Sequence, residues 1–173
     1  WKDAHHPINN SEQDNCEYWQ TRAVPDQSGS VLTSLNGTDH VEATATIVIS
    51  DAGGISHGDT FTLVDSVGTS TTYTINGGLP KESGGGGSGV GVVGFDGVGG
   101  GTAGKVKAAA AMVYAINNTG DANYTAVSDG VDTVTITQGT KGRLGNTTNT
   151  DSIGHTTVSN FTGGDLMTPG VLA

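Results

Sequence analysis

The sequence predicts a β-rich α+β fold, a small antiparallel sheet of about five or six strands with one helix packed on it, plus an extended N-terminal arm. Three observations predict it. From Val41 onward apolar and polar residues alternate at period two. Gly, Thr and Ser punctuate the chain, with 29 glycines among 173 residues. In the body only residues 103–118 carry apolar side chains at helical spacing.

Residues 1–40 form the arm. Trp1-Lys2-Asp3-Ala4-His5-His6-Pro7 is polar with an isolated aromatic. Ser11 is placed to cap a short helix that runs to Ala23, with Tyr18 and Trp19 as anchors, and Pro25 ends it. Asp26 to Ser30 reads as a linker. So polar a segment cannot bury two tryptophans alone, so they dock on the body or on a neighbouring subunit. Trp1, Tyr18, Trp19, Arg22 and Val24 are therefore the candidate subunit-interface residues.

The body spans residues 41–164. Val41, Ala43, Ala45, Ile47 and Ile49 mark the inner face of a half-buried strand. A hairpin follows: Phe61 and Leu63 on one strand, Tyr73 and Ile75 on the other, with Val67-Gly68-Thr69-Ser70 as turn residues. Residues 76–102, which include Ser83-Gly84-Gly85-Gly86-Gly87-Ser88-Gly89, read as a mobile glycine-rich loop. The helix at 103–118 takes Thr102 as its N-cap and turns Val106, Ala109, Ala110, Val113 and Ile116 to the core; Asn118-Thr119-Gly120 ends it. Asp129-Gly130 then joins Tyr124–Val127 to Val131–Thr137 as a second hairpin. Gly139 to Gly145 reads as a flexible turn, and a last strand lies near His155 to Val158. Residues 165–173 are a tail.

Composition narrows the function. The net charge of −10, with seven scattered basic residues, disfavours nucleic-acid backbones. No apolar run approaches the ~20 residues of a membrane-spanning helix. One cysteine, Cys16, allows no disulfide within the chain. Hydrophobic residues are only 34%, so the core is small and a chain of this kind gains from partners.

Chemistry-bearing motifs are weak. Gly99-Gly100-Gly101-Thr102-Ala103-Gly104-Lys105 fits the spacing of a phosphate-binding loop at a helix start. The next residue is Val106 where Ser or Thr would hold magnesium, and Val92–Gly97 reads as a poor parallel strand. The stretch is therefore read as a glycine-rich helix entry. His5, His6, His40, His57 and His155 follow no metal-ligand spacing. Neither a catalytic nor a cofactor nor a metal residue is assigned.

The succession Gly58-Asp59-Thr60-Phe61-Thr62-Leu63, Thr72-Tyr73-Thr74-Ile75, the Ala-rich helix ending Ala115-Ile116-Asn117, Tyr124-Thr125-Ala126, Val134-Thr135-Ile136-Thr137-Gln138 and Phe161-Thr162-Gly163-Gly164 resembles a β-hairpin/helix/β-hairpin module. Such modules occur in structural (virion) proteins of marine tailed bacteriophages. The resemblance covers roughly residues 41–164. Trp1-Lys2-Asp3 and Tyr18-Trp19-Gln20-Thr21-Arg22-Ala23 resemble aromatic-basic segments near the start of such proteins. The resemblance implies a non-enzymatic virion component, capsid-decorating or in the tail or fibre, whose partners are itself in a symmetric homo-oligomer and other virion proteins. Assembly would use the arm, open sheet edges and the C-terminal tail. The rival expectation is an extracellular adhesin or carbohydrate-binding fibre domain, which needs exposed aromatics on the body.

Overall fold

A computed structural model of the chain describes residues 41–87, 89–120 and 122–165. The interface candidates Trp1, Tyr18, Trp19, Arg22 and Val24, the expected helix at 11–23 and residues 166–173 of the tail lie outside the described residues. Val41–Leu166 is one compact unit.

The fold is β-rich α+β, with a single α-helix among the described residues. In chain order it runs β1 (Glu42–Ile49), β2 (Thr60–Val64), β3 (Ser70–Pro80), β4 (Gly85–Gly87), β5 (Val90–Asp96), α1 (Gly101–Asn117), β6 (Tyr124–Ser128), β7 (Thr133–Lys141), β8 (Thr150–Asp151) and β9 (Thr156–Val158). The strands divide between two sheets, ordered β6-β7-β1-β9 and β4-β5-β3-β2-β8. The division follows from the apolar residues. Ala43, Ala45, Ile47 and Ile49 of β1 and Phe61, Leu63, Tyr73 and Ile75 of β2–β3 belong to one buried cluster. The alanine-rich α1 is too thin to cover both sheets, so the sheets cover one another and α1 contacts β5 of one and β6 of the other.

Both expected hairpins form. Phe61 pairs with Tyr73 across β2–β3, and Ala126 pairs with Ile136 across β6–β7. The Phe61 and Tyr73 rings stack with centroids 4.9 Å apart. The turns are built by carboxylates. Asp65 Oδ1 accepts from Val67 and Thr69 N–H at 3.0 and 2.7 Å, with Gly68 at φ 86°. Asp129 Oδ1 accepts from the N–H groups of Val131, Asp132 and Thr133, with Gly130 at φ 82°.

The glycine-rich segment differs from expectation. β3 continues to Pro80, and β5 returns parallel to it from Thr72↔Val90 to Asn76↔Gly94, with β4 on its far side. The glycines serve close approach here, not mobility. A Cβ on Gly86 would lie 2.0 Å from the Val90 carbonyl oxygen, one on Gly94 1.9 Å from that of Pro80, and one on Gly91 2.3 Å from Cδ1 of Tyr73. A second expected turn, Gly139 to Gly145, is partly strand, since β7 runs on to Lys141 before a 3-10 turn at Arg143–Gly145.

The helix begins two residues earlier than expected, at Gly101. Gly100 is its N-cap without a side-chain bond, so Thr102 is already helical and caps nothing. Its buried face is Gly104, Ala108, Ala109, Ala111, Met112, Ala115 and Ile116. Val106 is 38% exposed and Ala110 is exposed, because the smaller residues on the neighbouring stripe allow closer contact with the strands.

Candidate functional site

Amide side chains organise the body. Gln138 of β7, fully buried, accepts from Ser66 N–H through Oε1 at 3.1 Å and donates from Nε2 to the Val64 carbonyl at 2.9 Å. It thereby ties one sheet to the end of β2 in the other. Asn149 accepts from Val64 N–H and donates to the Ser159 carbonyl. Asn146 makes the same two-way pairing with Gly164. Each behaves as a piece of strand backbone supplied by a side chain.

The same device closes sheet edges. Asn117, at the end of α1, donates to the Ala126 carbonyl and accepts from Ala126 N–H, both at 2.8 Å, on the outer edge of β6. The outer edge of β4 is met by the chain leaving α1, where Gly120 N–H donates to the Gly86 carbonyl at 2.9 Å. The outer edge of β1 is lined by β9 and then by Ser159, Thr162 and Asp165. The edges expected to mediate assembly are thus partly met by the chain's own groups. Among the described residues the outermost strands are β6 and β9 of one sheet and β4 and β8 of the other; β8 and β9 are two and three residues long, and β6 and β4 are met at Ala126 and Gly86.

Between the sheets sits a buried phenol pair. Tyr73 and Tyr124 hydroxyls are 3.1 Å apart. Burial pushes both phenols up from their ordinary value, and the neighbouring Tyr124 raises Tyr73 further. The pair is neutral and acts as a polar tie within the core.

The outer face of α1 carries a concavity of about 500 Å³. Ala110, Val113 and Tyr114 form its floor, with Lys81 and Glu82 from the β3–β4 turn and Ser128 of β6 at its rim. It is a mainly apolar groove with a Lys–Glu ion pair of 2.7 Å at its edge. The sequence does not announce this groove. Its only sequence signal is the absence of any charged residue between Lys107 and the end of α1.

The glycine-rich helix entry is better formed than expected, since β5 is a parallel strand leading into α1. Lys105, however, is held by Asp132 at 3.3 Å, and Val106 stands on the surface. The lysine is thus turned to the β6–β7 hairpin. His155 packs its ring over Gly54, where a Cβ would come within 2.1 Å. His57 accepts from Gly77 N–H. His5, His6 and His40 lie outside the described residues. Among the described residues no helix is long and apolar enough to cross a membrane.

No family model, no curated protein and no solved structure matches the chain.

Proposed function

We propose that the chain is a non-enzymatic structural protein of a tailed-phage virion, capsid-decorating or part of the tail or fibre. It works by self-assembly into a symmetric homo-oligomer and by contact with neighbouring virion proteins. The observation that supports this reading is the use of the polar side chains. Asn117, Gln138, Asn146, Asn149, Asp65 and Asp129 all bind backbone, and Lys105 binds Asp132. These groups brace a scaffold. With the outer edges of β1, β4 and β6 met in part by the chain's own groups, side chains carry much of the contact with neighbours in this reading, and Trp1, Tyr18, Trp19, Arg22 and Val24 are the proposed interface set.

Light scattering on the full chain across a concentration series tests the reading. A mass that is a multiple of the 17.3 kDa chain is expected. Trp19→Ala should weaken association by roughly 2 kcal/mol, about thirtyfold, as buried tryptophan anchors do. An unchanged mass profile in that variant would remove the arm from the interface.

One observation favours a second reading, a carbohydrate-binding fibre domain. Phe61, Tyr73, Tyr124 and Phe161 are buried, but Tyr114 is half-buried in the α1 groove, where a ring face can stack on a sugar. A glycan array that binds the full chain and loses the signal in Tyr114→Ala would favour this second reading.

A further inference from the structure

We propose that Asn76–Gly77 is a self-modification site, in which His57 is the general base and Gly78 N–H the oxyanion donor for conversion of Asn76 to aspartate or isoaspartate through a cyclic imide. The inference stands independently of the function proposed above.

Three groups meet at this dipeptide. The nucleophile is the backbone nitrogen of Gly77, whose N–H donates to His57 Nδ1 at 3.2 Å. An Nδ1 that accepts is unprotonated, so it is placed to take that proton. The electrophile is the Asn76 side-chain carbonyl, whose Oδ1 accepts from Gly78 N–H at 3.0 Å. That contact polarises the carbonyl and lies where negative charge would develop. Both distances fall within the reach required of a proton acceptor and an oxyanion donor.

Local structure holds the parts together. Ser56 to Asp59 form a tight turn, closed by Asp59 N–H to the Ser56 carbonyl at 3.2 Å, with Gly58 at φ 92°. The turn is tied to β3 by Gly58 N–H to the Ile75 carbonyl and Ile75 N–H to the Asp59 carbonyl, at 2.9 and 2.8 Å. These bonds hold His57 beside Gly77. The dipeptide also stands at an interruption of the ladder. Between the Asn76↔Gly94 and Pro80↔Asp96 pairs the register of β3 against β5 shifts. Gly77 and Gly78 are exposed, so water reaches them, and neither carries a side chain to hinder ring closure.

The chemistry balances with water alone. Gly77 nitrogen attacks Asn76 Cγ, and the N–Cγ bond forms as His57 Nδ1 takes the amide proton. The electron pair of the carbonyl moves onto Oδ1 and is stabilised there by Gly78 N–H. Collapse breaks the Cγ–Nδ2 bond, and the proton held by His57 leaves with the amide nitrogen as ammonia. Water then opens the five-membered ring at either carbonyl. One water is consumed, one ammonia is released, and nothing is oxidised or reduced.

The chain supplies its own control, a second Asn–Gly dipeptide at Asn36–Gly37. The test follows both sites by mass spectrometric peptide mapping of the purified full chain, incubated in neutral buffer, for wild type, His57→Ala and His57→Asn. Asparagine retains an acceptor near the place of Nδ1 but no basicity. Conversion at residue 76 should slow at least about tenfold in both variants, below the full contribution of a placed base, with residue 36 unaffected and the thermal midpoint retained. A smaller effect at residue 76 would overturn the proposal. So would equal slowing at both sites, or His57→Asn converting as fast as wild type, since a purely structural histidine predicts that result. Wild type that converts at residue 36 but not at residue 76 would overturn it as well.

Discussion

At the scale of single residues, the body depends on amides that stand in for backbone. Gln138 is the most enclosed of them. Gln138→Ala leaves Ser66 N–H without its acceptor and opens a void between the sheets. We expect a loss of about 2–4 kcal/mol, read from urea unfolding with an unchanged m-value. Asn117→Ala frees both polar groups of Ala126 at a partly solvated edge and should cost about 1–2 kcal/mol. It should also raise aggregation, because the β6 edge becomes available to another chain. None of these roles was visible in the sequence. An asparagine in a Thr- and Gly-rich chain has the same one-dimensional signature whether it lies on a loop or replaces a strand neighbour, and its partner is often far along the chain. Asp65 and Asp129 are different. Their partners are within four residues, so Asp129-Gly130 announced its turn directly.

Elements were legible where pattern and propensity agree. β1 reads Glu-Ala-Thr-Ala-Thr-Ile-Val-Ile, and its burial alternates as the period predicts. The β4–β5 segment reads as a mobile loop in the sequence because glycine carries no strand signal and no apolar side chain. Here glycine marks close packing, which sequence reading does not distinguish from flexibility. Gly91→Ala tests this directly. Its new Cβ would meet the Tyr73 ring, and we expect a loss of about 1–3 kcal/mol, whereas a mobile loop would tolerate the change. The helix is legible in the sequence, and of its expected inner face Ala109 and Ile116 are buried and Val113 packs against the core; Val106 and Ala110 fall outside it because Ala108, Ala111 and Ala115 fit closer to the strands.

Titration reports on the elements as well. Tyr73 and Tyr124 are raised above the ordinary phenol value of 10.0 by burial. Their folded forms hold the proton more tightly than the unfolded chain does. The stability they contribute is therefore complete below pH 10 and declines as pH rises above it. Denaturation midpoints measured across that range should fall, and Tyr124→Phe should lessen the slope. Asp129 has the opposite sense. The backbone N–H groups of Val131 and Thr133 hold its carboxyl below the usual value of 3.8. Its contribution is present above that pH and is lost as pH falls through the lowered value. Asp129→Ala should flatten the acid limb of the stability curve.

For the whole molecule, we propose a scaffold that assembles. The fold class was legible because alternation, turns and one helical stretch agree with one another. The division into two sheets was not legible, because nothing local records which strands share a ladder. Electron microscopy of the purified full chain at high concentration tests assembly most directly. A regular ring, tube, lattice or particle is expected. Dispersed single chains of uniform size at the same concentration would contradict it.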